Sequence, residues 1–274
     1  MIETADGVRL FVRDWGAGEP VVFVSGWALS GEMWACQAMP LAQAGLRCIS
    51  YDRRGHGRSD DPGRGYEFDT LADDLAALLD ARDLRAVTLV GHSMGCGEIA
   101  RYLARHSAGR VALLSPITPF LLQTADNTQG APEAYFALHL ARLADDAASY
   151  FTEGAARFFG EGATWPGPAP LSAALRDWAV QLILQTPPQV ASACFRAYTS
   201  TDFRRDMAAF SVPTLIIHGD ADHNAPLELT GRRTAQAIAG SELRVYQGAA
   251  HGLFLTEKGR LNHDLLAFLR GEQV

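Results

Sequence analysis

The most informative segment of the chain reads Leu89-Val90-Gly91-His92-Ser93-Met94-Gly95. An apolar run, 86–90, leads into this Gly-x-Ser-x-Gly pattern and predicts a buried strand, and 96–106 has apolar residues at helical spacing. A serine in a sharp turn from strand to helix needs glycine neighbours, because two chain segments approach closely there. The context therefore predicts that Ser93 is a nucleophile whose hydroxyl the turn lifts above the edge of the sheet.

The segments on both sides of this pattern alternate between strand-like and helix-like. An edge strand is predicted at 8–15, and apolar runs predict further strands at 21–24, 47–51, 111–114, 212–217 and 242–246. Helical periodicity predicts helices at 33–44, 66–83, 229–238 and 261–269. Such alternation is typical of a mostly parallel sheet with helices on both faces.

Residues 117–206 break the alternation. They are rich in Pro, Gly and aromatic residues and contain no convincing strand. We predict a helical cap inserted into one domain, whose core is formed by 1–116 and 207–274. The alternative is an independent helical domain.

Composition excludes several classes of protein. The net charge of −7, with no basic run, argues against nucleic-acid binding. The acidic N-terminus does not resemble a signal peptide, and the most apolar segment, 21–29, is too short to span a bilayer. Without a C-x-x-C pair, the four cysteines (Cys36, Cys48, Cys96 and Cys194) are expected to be free thiols in a reducing compartment. We therefore expect a cytoplasmic protein that binds neither membrane nor nucleic acid.

A nucleophilic serine needs a general base and a carboxylate that orients the base. We select His251 as the base, because small residues flank it in a loop after a strand, where ligands gather in open α/β sheets. A surface histidine is the alternative. We select Asp222 as the acid, because it lies further into its loop than Asp220, which we expect to shape the turn after Gly219.

A metal site is the other interpretation of this loop, which contains His218, Asp220, Asp222 and His223. A second His-x-His set at ligand spacing is missing, and a loop turn explains every spacing. We predict no metal and no cofactor.

The negative oxygen of a tetrahedral intermediate needs two prearranged donors. The N–H of Met94 lies at the start of the helix after Ser93, and the N–H of Trp27 lies in the loop after the strand 21–24. We select both, with the alternative that Trp27 is only a wall of the pocket. The glycine-rich loop 52–59 does not fit G-x-G-x-x-G and is expected to be a structural loop rich in hydrogen bonds.

Taken together, the chain resembles the α/β-hydrolase family, and within it the cofactor-free haloperoxidase, perhydrolase and aryl esterase group. The motifs that carry the resemblance are Gly26-Trp27, Asp52-Arg53-Arg54-Gly55-His56-Gly57-Arg58-Ser59, Gly91-His92-Ser93-Met94-Gly95 with Gly97-Glu98, His218-Gly219-Asp220-Ala221-Asp222 and Ala250-His251-Gly252. They span nearly the whole chain and imply a triad of Ser93, Asp222 and His251 with an oxyanion hole from Trp27 and Met94. We therefore predict an α/β-hydrolase fold: a mostly parallel eight-stranded sheet, helices on both faces, and a helical cap. The resemblance also implies a homo-oligomer.

Two residues depart from the family pattern. Ser25 stands where the family usually has His, and Ala28 stands where members noted for perhydrolysis often have Pro. A proline there would fix the backbone and move the next carbonyl. Its absence favours ordinary ester hydrolysis.

We expect a serine carboxylic-ester hydrolase that acts through an acyl-enzyme on small apolar or aryl esters. The expected substrate pocket is lined by Ala28, Phe120, Phe158 and Trp165. The alternatives are perhydrolase or haloperoxidase-type activity, lactone or amide hydrolysis at the same residues, and a binding protein on this fold. A haloalkane dehalogenase is excluded, because that chemistry requires a carboxylate where Ser93 stands.

Overall fold

The computed structural model describes residues 1–161 and 171–272. In this part of the chain the strands are β1 (Ile2–Glu3), β2 (Arg9–Leu10), β3 (Val12–Gly16), β4 (Pro20–Val24), β5 (Arg47–Tyr51), β6 (Thr88–His92), β7 (Arg110–Leu114), β8 (Thr214–Gly219) and β9 (Glu242–Tyr246). The α-helices are α1 (Ala35–Gln43), α2 (Phe68–Ala81), α3 (Met94–Leu103), α4 (Glu133–Asp145), α5 (Ala147–Phe159), α6 (Ala173–Leu184), α7 (Pro188–Ser200), α8 (Gly231–Ala237), α9 (Leu253–Thr256) and α10 (Lys258–Arg270).

The main sheet has seven strands in the order β3-β5-β4-β6-β7-β8-β9. Only the edge strand β3 is antiparallel to its neighbour; the other pairs are parallel. Eight strands were expected, but β1 and β2 form a separate antiparallel pair. The predicted strand 8–15 is divided at Phe11, because the N–H of Phe11 bonds the Ser59 hydroxyl (2.9 Å) and its carbonyl accepts from Asp52 N–H (3.0 Å).

Each central strand is buried on both faces, and alternate side chains enter two different cores. In β4, Val22 and Val24 join a cluster that contains the apolar stripe of α2 and residues of α3. Val21 and Phe23 join the opposite cluster, which contains residues of α1 and α10. This explains why β4 is continuously apolar in sequence.

Helices α4 to α7 lie between β7 and β8 in the chain, and the described part of 117–206 contains only isolated bridges, with no strand. Apolar side chains from these helices, among them Phe151 and Phe159, pack in the same cluster as Leu253 of the core. This shared packing supports the proposal that 117–206 form a cap on the core, and not an independent domain.

None of the described helices is both long and apolar enough to cross a membrane. The four cysteines are free, as predicted; Cys36 is half-buried and the others are buried.

Candidate active site

Ser93 occupies a strained turn between β6 and α3, with φ 52° and ψ −115°. Side-chain-bearing residues rarely adopt a positive φ. The neighbouring glycines permit the turn: a Cβ at Gly91 would lie 2.7 Å from the Ile99 side chain, and one at Gly95 would lie 2.3 Å from the Val24 carbonyl oxygen. The N–H of Ser93 donates to the Leu114 carbonyl on β7 (2.9 Å), so the turn is tied to the sheet.

Three predicted site residues from separate loops form a continuous chain of hydrogen bonds. His251 Nε2 lies 2.9 Å from Ser93 Oγ, and His251 Nδ1 lies 2.6 Å from Asp222 Oδ2. All three residues are buried, with exposed fractions of 6% for Ser93, 5% for His251 and 3% for Asp222. The geometry therefore has the order hydroxyl, imidazole, carboxylate that activation of a serine requires.

The surroundings of Asp222 favour its ionised form. Burial alone would raise its pKa, but His251 and His218 together hold the pKa well below the usual range of an aspartate. Its second oxygen accepts from Asn224 N–H (2.9 Å) and Ala225 N–H (2.8 Å). An ionised carboxylate can only accept, so Nδ1 of His251 carries the proton and Nε2 is free to accept from Ser93.

His218 is a second histidine beside the same carboxylate, and sequence reasoning assigned it no role at the site. Its Nε2 lies 3.3 Å from Asp222 Oδ2 and 2.8 Å from the Ala225 carbonyl, and its side chain is completely buried. The sequence feature that could have indicated this contact is a histidine at the end of an apolar strand, four residues before the candidate acid.

Asp220 does not shape its own turn as expected. Its carboxylate accepts from Gly248 N–H (2.6 Å), in the loop that carries His251. The local Asx-type bond is made instead by Asp222, to Asn224 N–H. The two carboxylates bind different groups because the loops after β8 and β9 lie side by side. Asp220 accepts from the backbone of the neighbouring loop, and Asp222 accepts from the imidazole of His251.

Both candidate oxyanion donors lie in contacting segments. Gly26, before Trp27, packs against the His92 ring, since a Cβ there would lie 2.6 Å from His92 Nδ1. Gly95, after Met94, packs on the carbonyl of Val24, the last residue of β4 before the loop that carries Trp27. Within the described residues, neither the Trp27 N–H nor the Met94 N–H donates to a protein acceptor. In this part of the chain both N–H groups therefore lack the protein partner that a backbone donor usually has.

The Trp27 side chain packs among aromatic rings, which is compatible with both interpretations of this residue. Its indole N–H donates to the Ala191 carbonyl of α7 (2.8 Å). Four rings from the helices of 117–206 surround it at centroid distances of 5.2 to 6.3 Å: Tyr150, Phe151, Phe195 and Tyr198. This aromatic cluster joins the loop 25–27 after β4, the candidate oxyanion loop, to α5 and α7.

Of the four residues predicted to line the substrate pocket, the three that the structure describes have different surroundings. Phe158 packs edge-on against His251, with 5.3 Å between ring centroids. Ala28 follows Trp27 and is completely buried, and its carbonyl accepts from the Thr186 hydroxyl (3.1 Å). Phe120 is buried with the Arg204 guanidinium 5.2 Å from its ring centre. Trp165 lies outside the described residues.

The loop 52–59 is rich in hydrogen bonds, as expected. The carboxylate of Asp52 accepts from the N–H groups of Gly31 (2.8 Å) and Arg58 (2.9 Å), and the Ser59 hydroxyl donates to the Asp52 carbonyl (2.5 Å). Sequence reasoning gave this loop no part in the site.

Comparison with known proteins extends the likeness along nearly the whole chain. A family model described as alpha/beta hydrolase fold matches residues 19–258. The non-heme chloroperoxidase CPO-A1 of Kitasatospora aureofaciens is 41% identical over 271 residues, which cover 97% of this chain and 98% of that protein. The bifunctional esterase/perhydrolase DCH of Acinetobacter calcoaceticus is 33% identical over 281 residues, covering 98% and 99%. A crystal structure of bromoperoxidase from Bacillus anthracis has a TM-score of 0.92 at 36% identity and covers 98% of this chain and 99% of its own.

Proposed function

Because the chain belongs to the alpha/beta hydrolase fold family, we propose that it cleaves small apolar or aryl carboxylic esters through an acyl-enzyme on Ser93. The fold class and the resemblance predicted from the sequence are confirmed by this membership. The protein is a hydrolase, with relatives that are non-heme haloperoxidases and an esterase/perhydrolase. The acyl-enzyme mechanism and the substrate are the new parts of the proposal.

One observation carries it: the hydrogen bonds from Ser93 through His251 to Asp222, at 2.9 and 2.6 Å. His251 Nε2 takes the Ser93 proton as Oγ attacks the acyl carbon, and then gives it to the leaving alcohol. Asp222 remains ionised, holds the tautomer and stabilises the imidazolium. Water then attacks the acyl-enzyme with His251 again as base, which releases the acid and restores Ser93.

The oxyanion of each tetrahedral intermediate is assigned to the N–H groups of Trp27 and Met94. Neither N–H has a protein acceptor in the described part of the chain, which supports this role. Donors fixed before the reaction need no reorganisation as charge develops, and removing one such donor typically costs about 10²–10³ in kcat.

The aromatic surroundings support an apolar or aryl substrate. Trp27 contacts Phe151 and Phe195, and Phe158 contacts His251. Apolar rings therefore border the site on the side of the oxyanion loop and on the side of the base. A charged acyl group would lose its hydration there without gaining an ion-pair partner from these rings.

A second candidate, perhydrolysis at the same serine, is favoured by the names of the relatives. Hydrogen peroxide would replace water as the attacking group, and the resulting peracid would oxidise halide. Ala28 argues for water as the main nucleophile. Its φ is 57°, and a proline, the residue associated with perhydrolysis at this position, cannot adopt that angle.

The proposals on localisation, oligomeric state, cofactors and partners rest on composition and on the resemblance to the family. We propose a cytoplasmic homo-oligomer that acts on a small molecule without metal or cofactor. The net charge of −7 supports the absence of nucleic acid among its partners.

The test is hydrolysis of p-nitrophenyl esters from acetate to decanoate by the wild type and by Ser93→Ala. Ser107→Ala is the matched control, because Ser107 is exposed and its backbone carbonyl, not its hydroxyl, accepts from Tyr102. We expect Ser93→Ala to lose at least about 10⁴-fold in kcat/KM with an unchanged melting temperature. Full activity in Ser93→Ala would overturn the mechanism. A folded wild type inactive on every ester would overturn the substrate class and favour lactones, amides, peroxide chemistry or a receptor role.

A further inference from the structure

A buried ion pair lies directly behind the oxyanion loop. Arg53 follows β5 and Glu98 lies on α3, and their side chains are 2% and 0% exposed. The Arg53 Nε donates to Glu98 Oε1 (2.5 Å), and the Tyr51 hydroxyl donates to Glu98 Oε2 (3.0 Å). Glu98 is therefore occupied on both oxygens and holds the guanidinium in one orientation.

The remaining donors of Arg53 bind two consecutive carbonyls of the loop after β4. Its Nη2 donates to the Ser25 carbonyl (2.6 Å) and its Nη1 donates to the Gly26 carbonyl (3.3 Å). The Gly26 carbonyl otherwise accepts only the turn bond from Leu29 N–H (3.3 Å) among the described residues. The charged contacts to this stretch of backbone thus come from a single side chain.

The Gly26 carbonyl and the Trp27 N–H belong to one peptide group. This peptide is trans, since within the described residues Thr118-Pro119 is the only cis bond. In a planar trans peptide the C=O and the N–H point in opposite directions. Fixing the Gly26 carbonyl on Arg53 therefore fixes the Trp27 N–H in the direction away from Arg53. The guanidinium charge also polarises the peptide in the sense that makes this N–H a stronger donor.

We propose that Arg53 is a positioning residue that orients the Trp27 N–H for the oxyanion through the Gly26–Trp27 peptide, and that Glu98 holds Arg53 in place. The inference rests on the proposed function, since it assigns a role in stabilising the tetrahedral intermediate. A buried ion pair is weak evidence for stability, because well-packed apolar residues can often replace it. Both terminal nitrogens of Arg53 also donate to the backbone of one loop, which indicates a different role for this pair.

Arg54 provides a matched comparison one residue further along. It is 1% exposed and donates to the buried carboxylate of Asp74 (2.6 and 2.7 Å) and to Asp6 (3.0 and 3.1 Å). Within the described ranges 1–161 and 171–272, the hydrogen bonds of its side chain all end on carboxylates, and none reaches the oxyanion loop. It has the same chemistry, burial and chain region as Arg53, with no link to Trp27.

The experiment compares Arg53→Met/Glu98→Gln with Arg54→Met/Asp74→Asn. Each double variant removes a buried guanidinium without leaving an unpaired buried carboxylate, because an unpaired buried charge is strongly destabilising. For the first we expect a 10- to 100-fold fall in kcat on p-nitrophenyl butyrate, with KM within twofold of wild type. Its affinity for a trifluoromethyl ketone, whose serine adduct carries an oxyanion, is expected to fall by a similar factor. For the control we expect kcat within threefold of wild type, even where its melting temperature is lower.

A second readout does not depend on turnover. We expect the amide ¹H–¹⁵N resonance of Trp27 to move in the Arg53/Glu98 variant and to stay in place in the Arg54/Asp74 variant. Equal losses of kcat in the two variants, or an unmoved Trp27 amide in the first, would overturn the inference. A wild type that hydrolyses no ester would overturn the proposed function, and the Trp27 amide would still decide the role of Arg53.

Discussion

The imidazole of His92 donates from Nε2 to the main-chain carbonyl of His251 at 3.0 Å. His92 is the last residue of β6, directly before Ser93, so this bond ties the strand that carries the nucleophile to the loop that carries the base. Burial, and then the charge of a protonated His251, lowers the pKa of His92 to about 3. His92 is therefore neutral at physiological pH with its proton on Nε2, and the bond is present throughout the working range.

His92→Ala is expected to lower kcat about tenfold, because the His251 loop loses its anchor and a small misplacement of a catalytic group is costly. His92→Gln, which keeps an N–H donor, is expected to recover most of the activity. The measurement is kcat and KM on p-nitrophenyl butyrate for both variants. A wild-type value of kcat in His92→Ala would show that His92 does not position the loop that carries His251.

Asp222→Asn is expected to lower kcat by about 10³–10⁴, because an amide can no longer hold the Nδ1–H tautomer or stabilise the imidazolium. Asp220→Asn is the matched control, since its amide oxygen still accepts from Gly248 N–H. We expect the control to remain within threefold of wild type in the same ester assay. Equal losses in the two variants would argue against Asp222 as the orienting acid.

Ala28→Pro is expected to destabilise the protein by about 1–3 kcal/mol, since proline locks φ near −65° and Ala28 has φ 57°. The loop would have to rearrange, and this rearrangement would break the hydrogen bond from the Thr186 hydroxyl to the carbonyl of residue 28. Ala28→Gly tolerates the positive φ and should change stability by less than about 1 kcal/mol. Urea unfolding measures both, and an Ala28→Pro variant as stable as wild type would contradict the loop conformation.

His56 makes the protein less stable in acid. Burial, followed by the nearby Arg53 charge, lowers its pKa from 6.5 to about 3. Between these values the unfolded chain binds a proton that the folded chain does not, so its contribution is complete above pH 6.5 and is lost as the pH falls, by about 1.4 kcal/mol per pH unit. In His56→Gln we expect the loss of unfolding free energy between pH 6.5 and 5 to shrink by about 2 kcal/mol.

The control for this pH dependence is His263→Gln, because the His263 side chain is 70% exposed. Urea unfolding at several pH values gives the slope for each variant. The assignment fails if His56→Gln retains the wild-type slope, or if His263→Gln reduces it equally.

Local patterns were sufficient for much of the fold. The predicted strands 47–51 and 242–246 coincide with β5 and β9. The strand predicted at 86–90 corresponds to β6, which begins and ends two residues later, and the helix predicted at 96–106 corresponds to α3, which begins two residues earlier, at Met94. These features are short-range: strand alternation, helical spacing and the need for glycine around a strained turn all act within a few residues.

Contacts between distant segments could not be read in the same way. The division of the N-terminal strand depends on Phe11 pairing with Asp52 and Ser59, which lie more than forty residues further along the chain. The role of Asp220, whose carboxylate accepts from Gly248 N–H and not from its own turn, depends on the neighbouring loop. The position of Phe158 beside His251 depends on helix packing, which periodicity does not specify.

The sequence alone therefore determined the element types, the elbow around Ser93 and the identities of the candidate acid and base. The order of Ser93, Asp222 and His251 along the chain does not show how close their side chains lie in the folded protein. Ser93 and His251 are 158 positions apart, and they meet at 2.9 Å because the carboxyl ends of parallel strands share one edge of the sheet. That shared edge, and the packing beneath it, also brought His92, His218 and Arg53 to the site, because a buried polar group must find its partner in space and not along the chain.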